Sequence, residues 1–210
     1  MTNYKLTYFD MDGGRGEPIR IAFHKAGIEF EDHRISFPEF MEMRGSTRFG
    51  VLPELDIDGA VISQSNGISR YVGKLADLYP GDALQALYCD EALGAVEAML
   101  HALVPTFGLE DEELRAAREK LVEGRLTTYL RGLGELLARG GDYFAGNRLT
   151  IADLKVFVVT RWLCAGALDH VPADLVQRVA PGLVDHQNRV EIDPIVTAYY
   201  AARAQDGNSD

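Results

Sequence analysis

Over the first 78 residues, short stretches with the hydrophobic pattern of strands alternate with stretches that have the pattern of helices. The stretch YKLTYF clusters apolar and β-prone residues and runs into the Gly-rich MDGGRGEP, which predicts a strand followed by a turn. The next stretch, RGEPIRIAFHKAG, has the helical period, with a buried face predicted at Ile19, Ala22, Phe23 and Ala26. Pro18 is tolerated in a first helical turn and Gly27 ends the helix.

A second strand, FEDHRI, follows directly and makes a βαβ unit, which requires parallel pairing and a right-handed crossover. FPEFMEMRG reads as a loop or short helix. LPELDIDGAVISQS then predicts two antiparallel strands around the turn Asp58-Gly59. SQSNGISRYVGKLA predicts a helix capped by Ser63 or Ser65, with an apolar face of Ile68, Tyr71, Val72 and Leu75. The order is therefore βαβ-ββα.

The chain changes character after Leu78. YPGDA is a breaker cluster, and almost everything beyond it has the 3.6-residue period of helices. We therefore predict a first domain over 1–78, a linker over 79–84 and an all-helical domain over 85–210. Two main bundle helices are expected at 83–103 and 112–139. The fold class is α/β plus all-α.

Composition narrows the range of partners. With 21 basic and 32 acidic side chains the net charge is −11, and no run of Lys or Arg offsets it. Nucleic acid and anionic membranes are therefore unexpected partners. The N-terminus lacks a charged leader before an apolar core, and no apolar stretch reaches the roughly 18 residues of a membrane span, so a cytoplasmic location is expected.

Local motifs in the helical half indicate structure rather than chemistry. Cys89 and Cys164 lack the close spacing of a zinc site or a redox pair, which favours buried free thiols and no metal. Thr150 and Asp153 form an S/T-x-x-D capping box at a helix start. His101 has no obvious carboxylate to orient it as a general base.

Tyr8 ends the first strand and faces the turn into the first helix, where backbone N–H groups and the helix dipole favour an anion. A phenol there can donate a hydrogen bond to a thiolate, although a rim tyrosine with a solvated hydroxyl is the alternative. Pro53 reads as an edge or cis proline that would turn the Leu52 backbone outward toward a peptide ligand. Gln64-Ser65 opens a helix that could hold a carboxylate, or serve only as an N-cap.

These motifs, in this order, resemble the cytosolic glutathione transferases, and most of all the sigma class that includes glutathione-dependent prostaglandin D synthases. The likeness spans nearly all 210 residues through NYKLTYF, RGEPIR, EDHRI, FGVLPEL with DIDG, QSNGISRY and GNRLTIADL. The resemblance implies a thioredoxin-like first domain, a C-terminal helical bundle, glutathione as co-substrate and a homodimer. It further implies thiolate attack on a soft apolar electrophile, as in detoxification.

The resemblance also assigns residues. Tyr8 would activate the thiol, with the basic Arg15 beside it. The implied glutathione contacts are Tyr8, Phe40, Arg44, Val51, Leu52, Pro53, Gln64, Ser65 and Glu97, the last acting across a dimer. This chain departs from the family in two places: its turn before Arg15, DMDGG, is one residue longer, and Val51 replaces a frequent lysine.

The electrophile is expected between the two domains. Its predicted pocket comprises Phe9, Met11 and Gly14 from the first domain and Met99, Val104 and Lys155 from the second. Lys155 could polarise a carbonyl or epoxide, although a solvated lysine is the commoner case. Two other functions stay open: a glutathione-dependent isomerase of the prostaglandin type, and a non-catalytic protein that binds glutathione or apolar ligands.

Overall fold

The computed structural model describes residues 2–206, and within them the first part of the chain forms a four-stranded sheet. Its spatial order is β2-β1-β3-β4, with β1 and β2 parallel and the other two pairings antiparallel. The strands are β1 (Tyr4–Phe9), β2 (Glu31–Ile35), β3 (Glu54–Ile57) and β4 (Ala60–Ser63). The helices between and after them are α1 (Glu17–Ala26), α2 (Phe37–Met43) and α3 (Ser65–Leu75). The predicted βαβ-ββα order is confirmed, with α2 as the predicted short helix.

Helix α1 follows the sequence prediction closely. Pro18 lies in its first turn, and Gly27 ends it in the left-handed conformation at φ 62°. Of the predicted buried face, Ile19, Ala22 and Phe23 are completely buried, whereas Ala26 in the last turn is only partly buried. Burial extends over all of residues 17–23, so more than one face of the helix is covered. A short turn joins β1 to α1, so the start of α1 lies near the carboxyl end of β1.

The hairpin between β3 and β4 also forms as predicted. Asp58 and Gly59 have φ values of 51° and 90°, the left-handed pair that a tight two-residue turn requires. The Asp56 carboxylate accepts a hydrogen bond from the Gly59 backbone N–H at 2.6 Å. The turn thus fixes the register that pairs Leu55 with Ile62.

The predicted face of α3 was only half right. Ile68 and Val72 are buried, but Tyr71 and Leu75 are 38% and 41% exposed. Small residues complete the inner face, since Ser65 and Ser69 are also buried. The cap was also misassigned: Gln64 is the N-cap residue, Ser65 is the first helical residue, and the Ser63 hydroxyl donates to Glu54.

The remainder of the chain is helical. The helices are α4 (Ala83–Leu103), α5 (Asp111–Leu121), α6 (Thr127–Gly140), α7 (Ile151–Cys164), α8 (Leu175–Val179), α9 (Pro181–Glu191) and α10 (Pro194–Asp206). The helix expected over 112–139 forms as an unbroken helical run over 111–140, in which a π-helical turn at Val122–Leu126 joins α5 to α6. Gly124 lies inside that turn, and one extra residue per turn shifts the apolar face of α6 relative to that of α5. Among residues 2–206, no helix combines the length and the apolar character that crossing a membrane would need.

The chain divides into two compact units. The first unit comprises Met1–Tyr79 together with Pro194–Asp210, and the second comprises Pro80–Asp193. The division near residue 80 coincides with the breaker cluster. At the C-terminal end it differs from the predicted limits of 1–78 and 85–210, because α10 packs on α1.

The start of α7 anchors the second unit. The Thr150–Asp153 capping box is present, and the Asp153 carboxylate also accepts a hydrogen bond from the Phe144 backbone N–H at 3.0 Å. The ring Nε2 of His186, on α9, lies 2.9 Å from the same carboxylate. Thr150, Asp153 and His186 are all completely buried, so one carboxylate ties two helices and the preceding loop together.

Candidate functional site

Tyr8 lies at the carboxyl end of β1 with its ring 4% exposed. Its hydroxyl oxygen accepts a hydrogen bond from the backbone N–H of Arg15 at 3.0 Å. Two glycines make room for the ring: a Cβ built on Gly14 would lie 2.5 Å from the hydroxyl oxygen, and one on Gly16 would lie 2.5 Å from Cδ1. The phenol is thus enclosed by backbone, and its hydroxyl faces the predicted turn.

A buried ion network supports this turn. Arg20 is 1% exposed and donates through Nε to Asp32 at 2.9 Å and through Nη1 to the Met11 carbonyl at 3.2 Å. Its guanidinium carbon lies 5.8 Å from the centre of the Tyr8 ring. Glu17, also buried, accepts a hydrogen bond from the Gly13 N–H at 3.4 Å. The turn therefore keeps Arg15 beside Tyr8 although it is one residue longer than the family pattern.

Apolar side chains form the floor beneath Tyr8. Tyr8 clusters with the buried residues Ile35, Phe40 and Leu52, and Phe9 packs against this cluster. The Phe9 ring meets Tyr8 and Phe40 edge to face, with centroid separations of 5.2 and 5.3 Å. Phe40 and Leu52, predicted as glutathione contacts, thus lie in one cluster with the predicted catalytic residue.

The peptide bond between Leu52 and Pro53 is cis, one of the two geometries proposed from the sequence. The ladder pairing of β3 begins at Glu54, so the Leu52 backbone precedes the sheet hydrogen bonds. Val51, where the family often has lysine, is 38% exposed. Leu52 is therefore at a strand start where an extended peptide could pair.

Helix α2 presents Phe40 and leads to Arg44. Ser36 and Glu39 form a capping box that the sequence analysis missed, and these hydrogen bonds hold the pKa of Glu39 below its ordinary value. The S-x-x-E spacing before an apolar run was the available signal. Arg44 is exposed and donates through Nε to the Gly50 carbonyl at 3.2 Å.

The start of α3 holds the other predicted glutathione residues. Gln64 is exposed and has a φ of 81°, a left-handed value that is uncommon outside glycine. Ser65 follows it with 6% exposure, and the first turn of α3 has no acidic residue. A helix N-terminus without acidic side chains suits a ligand carboxylate.

In the second unit, Glu97 and Lys155 form an ion pair. The Lys155 ammonium lies 2.7 Å from the Glu97 carboxylate and its side chain is 2% exposed, which corrects the solvated alternative. His101 Nε2 lies 3.8 Å from the other oxygen of Glu97, so the histidine does have a carboxylate, four residues earlier on α4. The i, i+4 spacing was visible in the sequence.

The remaining second-unit residues differ in exposure. Met99 is completely buried in the helical core, whereas Val104, at the end of α4, is 46% exposed. In the first unit Met11 is 41% exposed. The predicted electrophile pocket drew on both units, and its composition stays a prediction.

The structure brings Tyr8, Arg15, Gly14, Phe40 and Leu52 together within the first unit. The residues that the sequence analysis missed support the turn from below: Gly16, Glu17, Arg20 and Asp32. Three of these lie in the quoted motif RGEPIR, where only Arg15 was given a role. The sequence did not reveal these roles, because charged residues are expected at the surface and the charges of Glu17 and Arg20 are buried.

The two cysteines are unpaired with each other, as the sequence favoured. Cys89 is completely buried, and burial raises the pKa of its thiol to about 12, while Cys164 is partly buried with a raised pKa. Among the described residues, no three His, Cys, Asp or Glu side chains are grouped as a metal ion would need.

Comparison with known proteins gives the following matches. Residues 97–203 match the family model of the glutathione S-transferase C-terminal domain. The chain is 31% identical over 207 residues to a hematopoietic prostaglandin D synthase of Mus musculus, with 98% of each chain covered. It is 33% identical over 161 residues to a glutathione S-transferase 1 of Ascaris suum, covering 74% of this chain and 78% of the relative.

Solved structures have the same fold. A glutathione S-transferase from Ascaris lumbricoides superposes with a TM-score of 0.75 at 30% identity, covering 96% of this chain and 97% of the other. A prostaglandin D synthase of Nilaparvata lugens gives a TM-score of 0.82 at 25% identity, covering 96% and 98%. The predicted thioredoxin-like N-terminal fold with a helical C-terminal part is therefore confirmed.

Proposed function

Because the chain belongs to the glutathione S-transferase family, we propose that it transfers the glutathione thiolate to soft apolar electrophiles, with Tyr8 as the activating hydroxyl. Glutathione is the co-substrate throughout the family. One observation carries the proposal: the hydroxyl of a nearly buried tyrosine lies 3.0 Å from a backbone N–H at the turn between β1 and α1.

The chemistry follows from the thiol's acidity. A free thiol has a pKa of roughly 8.5, so most of it is protonated and unreactive at neutral pH. A hydroxyl that donates to sulfur stabilises the thiolate and lowers that pKa. The thiolate then attacks the electrophilic carbon, a C–S bond forms, and the leaving group departs with its electron pair.

The surroundings of Tyr8 support the donor role. Its oxygen accepts the Arg15 N–H, and a hydroxyl that accepts one hydrogen bond becomes a stronger donor through polarisation. The buried Arg20 guanidinium lies 5.8 Å from the ring, but Asp32 at 2.9 Å and Glu17 at 3.5 Å already balance its charge. The contact with the Arg15 N–H is therefore the one that acts in the direction that thiolate stabilisation requires.

The glutathione backbone is proposed to pair with Leu52, just before the ladder of β3 begins. Its γ-glutamyl carboxylate would bind at the start of α3, with Gln64 and Ser65. Phe40, Arg44, Val51 and Pro53 complete the proposed contacts. Glu97, assigned by resemblance to the γ-glutamyl amine, shares its carboxylate with Lys155.

For the electrophile, Phe9, Met11, Gly14 and Val104 remain proposed contacts, and the exposed Met11 and Val104 side chains suit an apolar molecule. Met99 would act only through packing, since it is completely buried. Lys155 is occupied by Glu97 and is not proposed to polarise the electrophile.

Membership of the sigma class, homodimerisation and a cytoplasmic location are also proposed. The exposed Phe49 and Val51, at 58% and 38%, offer apolar surface for a second copy. Sedimentation velocity would show one species at twice the mass of the chain if the dimer forms. A single species at the mass of one chain would contradict it.

The decisive experiment replaces Tyr8 by Phe and measures conjugation of an aryl halide together with glutathione consumption. We expect kcat/KM to fall by about 10²- to 10³-fold, the usual effect of removing one donor to a developing or stabilised anion. Consumption of glutathione separates conjugation from isomerisation, in which glutathione is returned.

The matched control is Tyr71→Phe, which removes an exposed hydroxyl from the same unit. It should leave kcat/KM within about twofold of the parent value, since surface substitutions usually have small effects. A Tyr8→Phe protein that conjugates as fast as the Tyr71→Phe control would refute the role given to Tyr8.

A further inference from the structure

Helix α10 reaches the turn that holds Arg15 beside Tyr8. We define the β1–α1 turn as residues 10–16. In it, the Asp12 carboxylate pairs with Nη2 of Arg203, on α10, at 2.6 Å. The two side chains are 57% and 32% exposed, so the pair lies at the edge of the first unit. α10 is thereby joined to the β1–α1 turn as well as to α1.

Arg203 is held on its own side of the contact. It hydrogen bonds to Tyr199, one turn earlier on α10, and the Tyr199 ring is buried and packs edge to face on His24 of α1, with centroids 5.8 Å apart. Both anchors belong to the first unit. The guanidinium therefore presents a fixed positive charge to the turn rather than a freely moving one.

The β1–α1 turn has a flexible sequence directly after Asp12. Asp12 is followed by Gly13 and Gly14, whose φ values are 106° and 61°, and then by Arg15, whose N–H reaches Tyr8. Successive glycines have the largest backbone freedom of any residues, so the sequence alone does not fix the path from Asp12 to Arg15. Contacts made by neighbouring residues must therefore hold the amino-terminal end of the Gly13-Gly14 dipeptide in place.

Other charges around Asp12 do not replace Arg203. Arg34 lies 3.9 Å from the Asp12 carboxylate, but it is bound more closely to Asp32 at 2.7 Å and to Asp10 at 3.4 Å. Arg20 and Glu17 hold the Met11 carbonyl and the Gly13 N–H from below the turn. The Arg203 contact with the Asp12 carboxylate, at 2.6 Å, is therefore much shorter than the Arg34 contact with it.

We propose that Arg203 is a positioning residue for the reaction: through Asp12 it fixes the path of Gly13 and Gly14 and keeps the Arg15 N–H on the Tyr8 hydroxyl. This inference rests on the proposed role of Tyr8. It assigns a function to the C-terminal helix that no contact with substrate would reveal.

The test is Arg203→Met, which keeps the length of the side chain and removes its charge. If the Arg15 N–H shifts away from Tyr8, the bound thiolate is less stabilised and its apparent pKa rises. We expect kcat/KM to fall by about three- to tenfold at pH 6.5 and by less at pH 8, with the midpoint of the pH profile moving upward. A loss of folded protein alone would lower the rate equally at both pH values.

A second readout does not depend on activity. Hydrogen exchange at the backbone amides of residues 13–15 should become about tenfold faster in Arg203→Met, because the turn opens more often. Exchange in α7, in the second unit, should stay unchanged. This measurement tests whether Arg203 holds the β1–α1 turn even in a protein preparation that shows no conjugation.

The matched control is Arg189→Met. Arg189 pairs with Asp142 in the second unit at 2.9 Å, with side-chain exposures of 36% and 66%, close to those of the Arg203 pair. Its loss should leave the pH profile and the exchange of residues 13–15 unchanged. Arg203→Lys should restore most of the activity at pH 6.5, and Asp12→Asn combined with Arg203→Met should be no worse than either change alone.

The outcomes separate the two proposals. Activity that disappears in Tyr8→Phe but is unmoved in Arg203→Met, with unchanged exchange at residues 13–15, overturns the inference and leaves the role of Tyr8 intact. Activity that survives Tyr8→Phe overturns the role proposed for Tyr8, and the exchange measurement then decides whether Arg203 holds the turn at all.

Discussion

Two buried carboxylates, Asp153 in the second unit and Glu17 in the first, have different surroundings. Asp153 accepts hydrogen bonds from the backbone N–H groups of Thr150 and Phe144, from the Thr150 hydroxyl and from the His186 ring. Glu17 accepts one long hydrogen bond from Gly13 and lies 3.5 Å from Arg20, and its Oε1 has no hydrogen-bond partner among the described residues. Both side chains are completely buried.

The contrast reflects what each carboxylate holds. Asp153 joins helices α7 and α9 and a loop, and a fully satisfied network of this kind makes one arrangement much more stable than any other. Glu17 holds the turn whose Arg15 N–H donates to the hydroxyl of Tyr8, the proposed catalytic residue. Incomplete satisfaction near a site is a common cost of function, so the two networks should respond differently to substitution.

The largest effect is expected from Asp153→Ala. It leaves the buried His186 ring and two backbone N–H groups without their acceptor, and breaking such a network typically costs about 3–5 kcal/mol of unfolding free energy. Chemical denaturation would measure the loss. Asp185→Ala, an exposed acidic position on α9, should change stability by no more than about 0.5 kcal/mol. Equal losses in the two variants would remove Asp153 from its anchoring role.

A smaller effect on stability, but a larger one on the site, is expected from Gly14→Ala. Its Cβ would lie 2.5 Å from the Tyr8 hydroxyl oxygen, so the ring or the turn must shift, at a cost of about 1–3 kcal/mol. The fall in kcat/KM should exceed tenfold, since small displacements at a site are costly.

Gly27→Ala is the control for backbone strain. Gly27 has a φ of 62°, against 61° for Gly14, and a Cβ there would meet no atom within 4 Å. The left-handed strain of alanine, about 1–2 kcal/mol, is therefore common to both variants. Their difference isolates the contact with Tyr8, and equal kcat/KM values would show that this contact is unimportant.

The smallest expected effect is a difference between Cys89 and Cys164 in their rates of modification by a thiol reagent. Cys89 is hydrogen bonded near the Asp153 network, and its raised pKa of about 12 leaves about one thiolate in ten thousand at pH 8. Because the pKa is raised, reactivity should grow with increasing pH. In the folded protein a thiol reagent should modify the partly buried Cys164 first, and Cys164→Ser should abolish the rapid phase. A rapid phase that persists in Cys164→Ser would mean that Cys89 is modified quickly, and therefore that the structure around the start of α7 opens readily.

Local patterns predicted those parts of the fold that neighbouring residues determine. The βαβ unit, the Asp58-Gly59 hairpin, the end of α1 at Gly27 and the Asp153 capping box each depend on a few adjacent residues. The position of Tyr8 followed from the strand-turn-helix order in the same way. Its role, however, came from a family resemblance, because a tyrosine at a strand end has several ordinary functions.

Features that depend on distant parts of the chain were missed. The exposure of Tyr71 and Leu75 is set by what packs on α3, which helical periodicity does not specify. The π-helical turn at Val122–Leu126 leaves an apolar repeat that still looks helical. The burial of Glu17 and Arg20 depends on Asp32 and on the carbonyls of the turn, which only the folded chain brings together.

The pairing of α10 with α1 has a consequence for biosynthesis. The ribosome makes α10 only after the whole second unit, so the nascent thioredoxin-like portion waits without its last helix while the helical portion emerges. During that interval the surface of α1 that Tyr199 later covers lacks its partner, and the Asp12–Arg203 ion pair cannot form until α10 has been made.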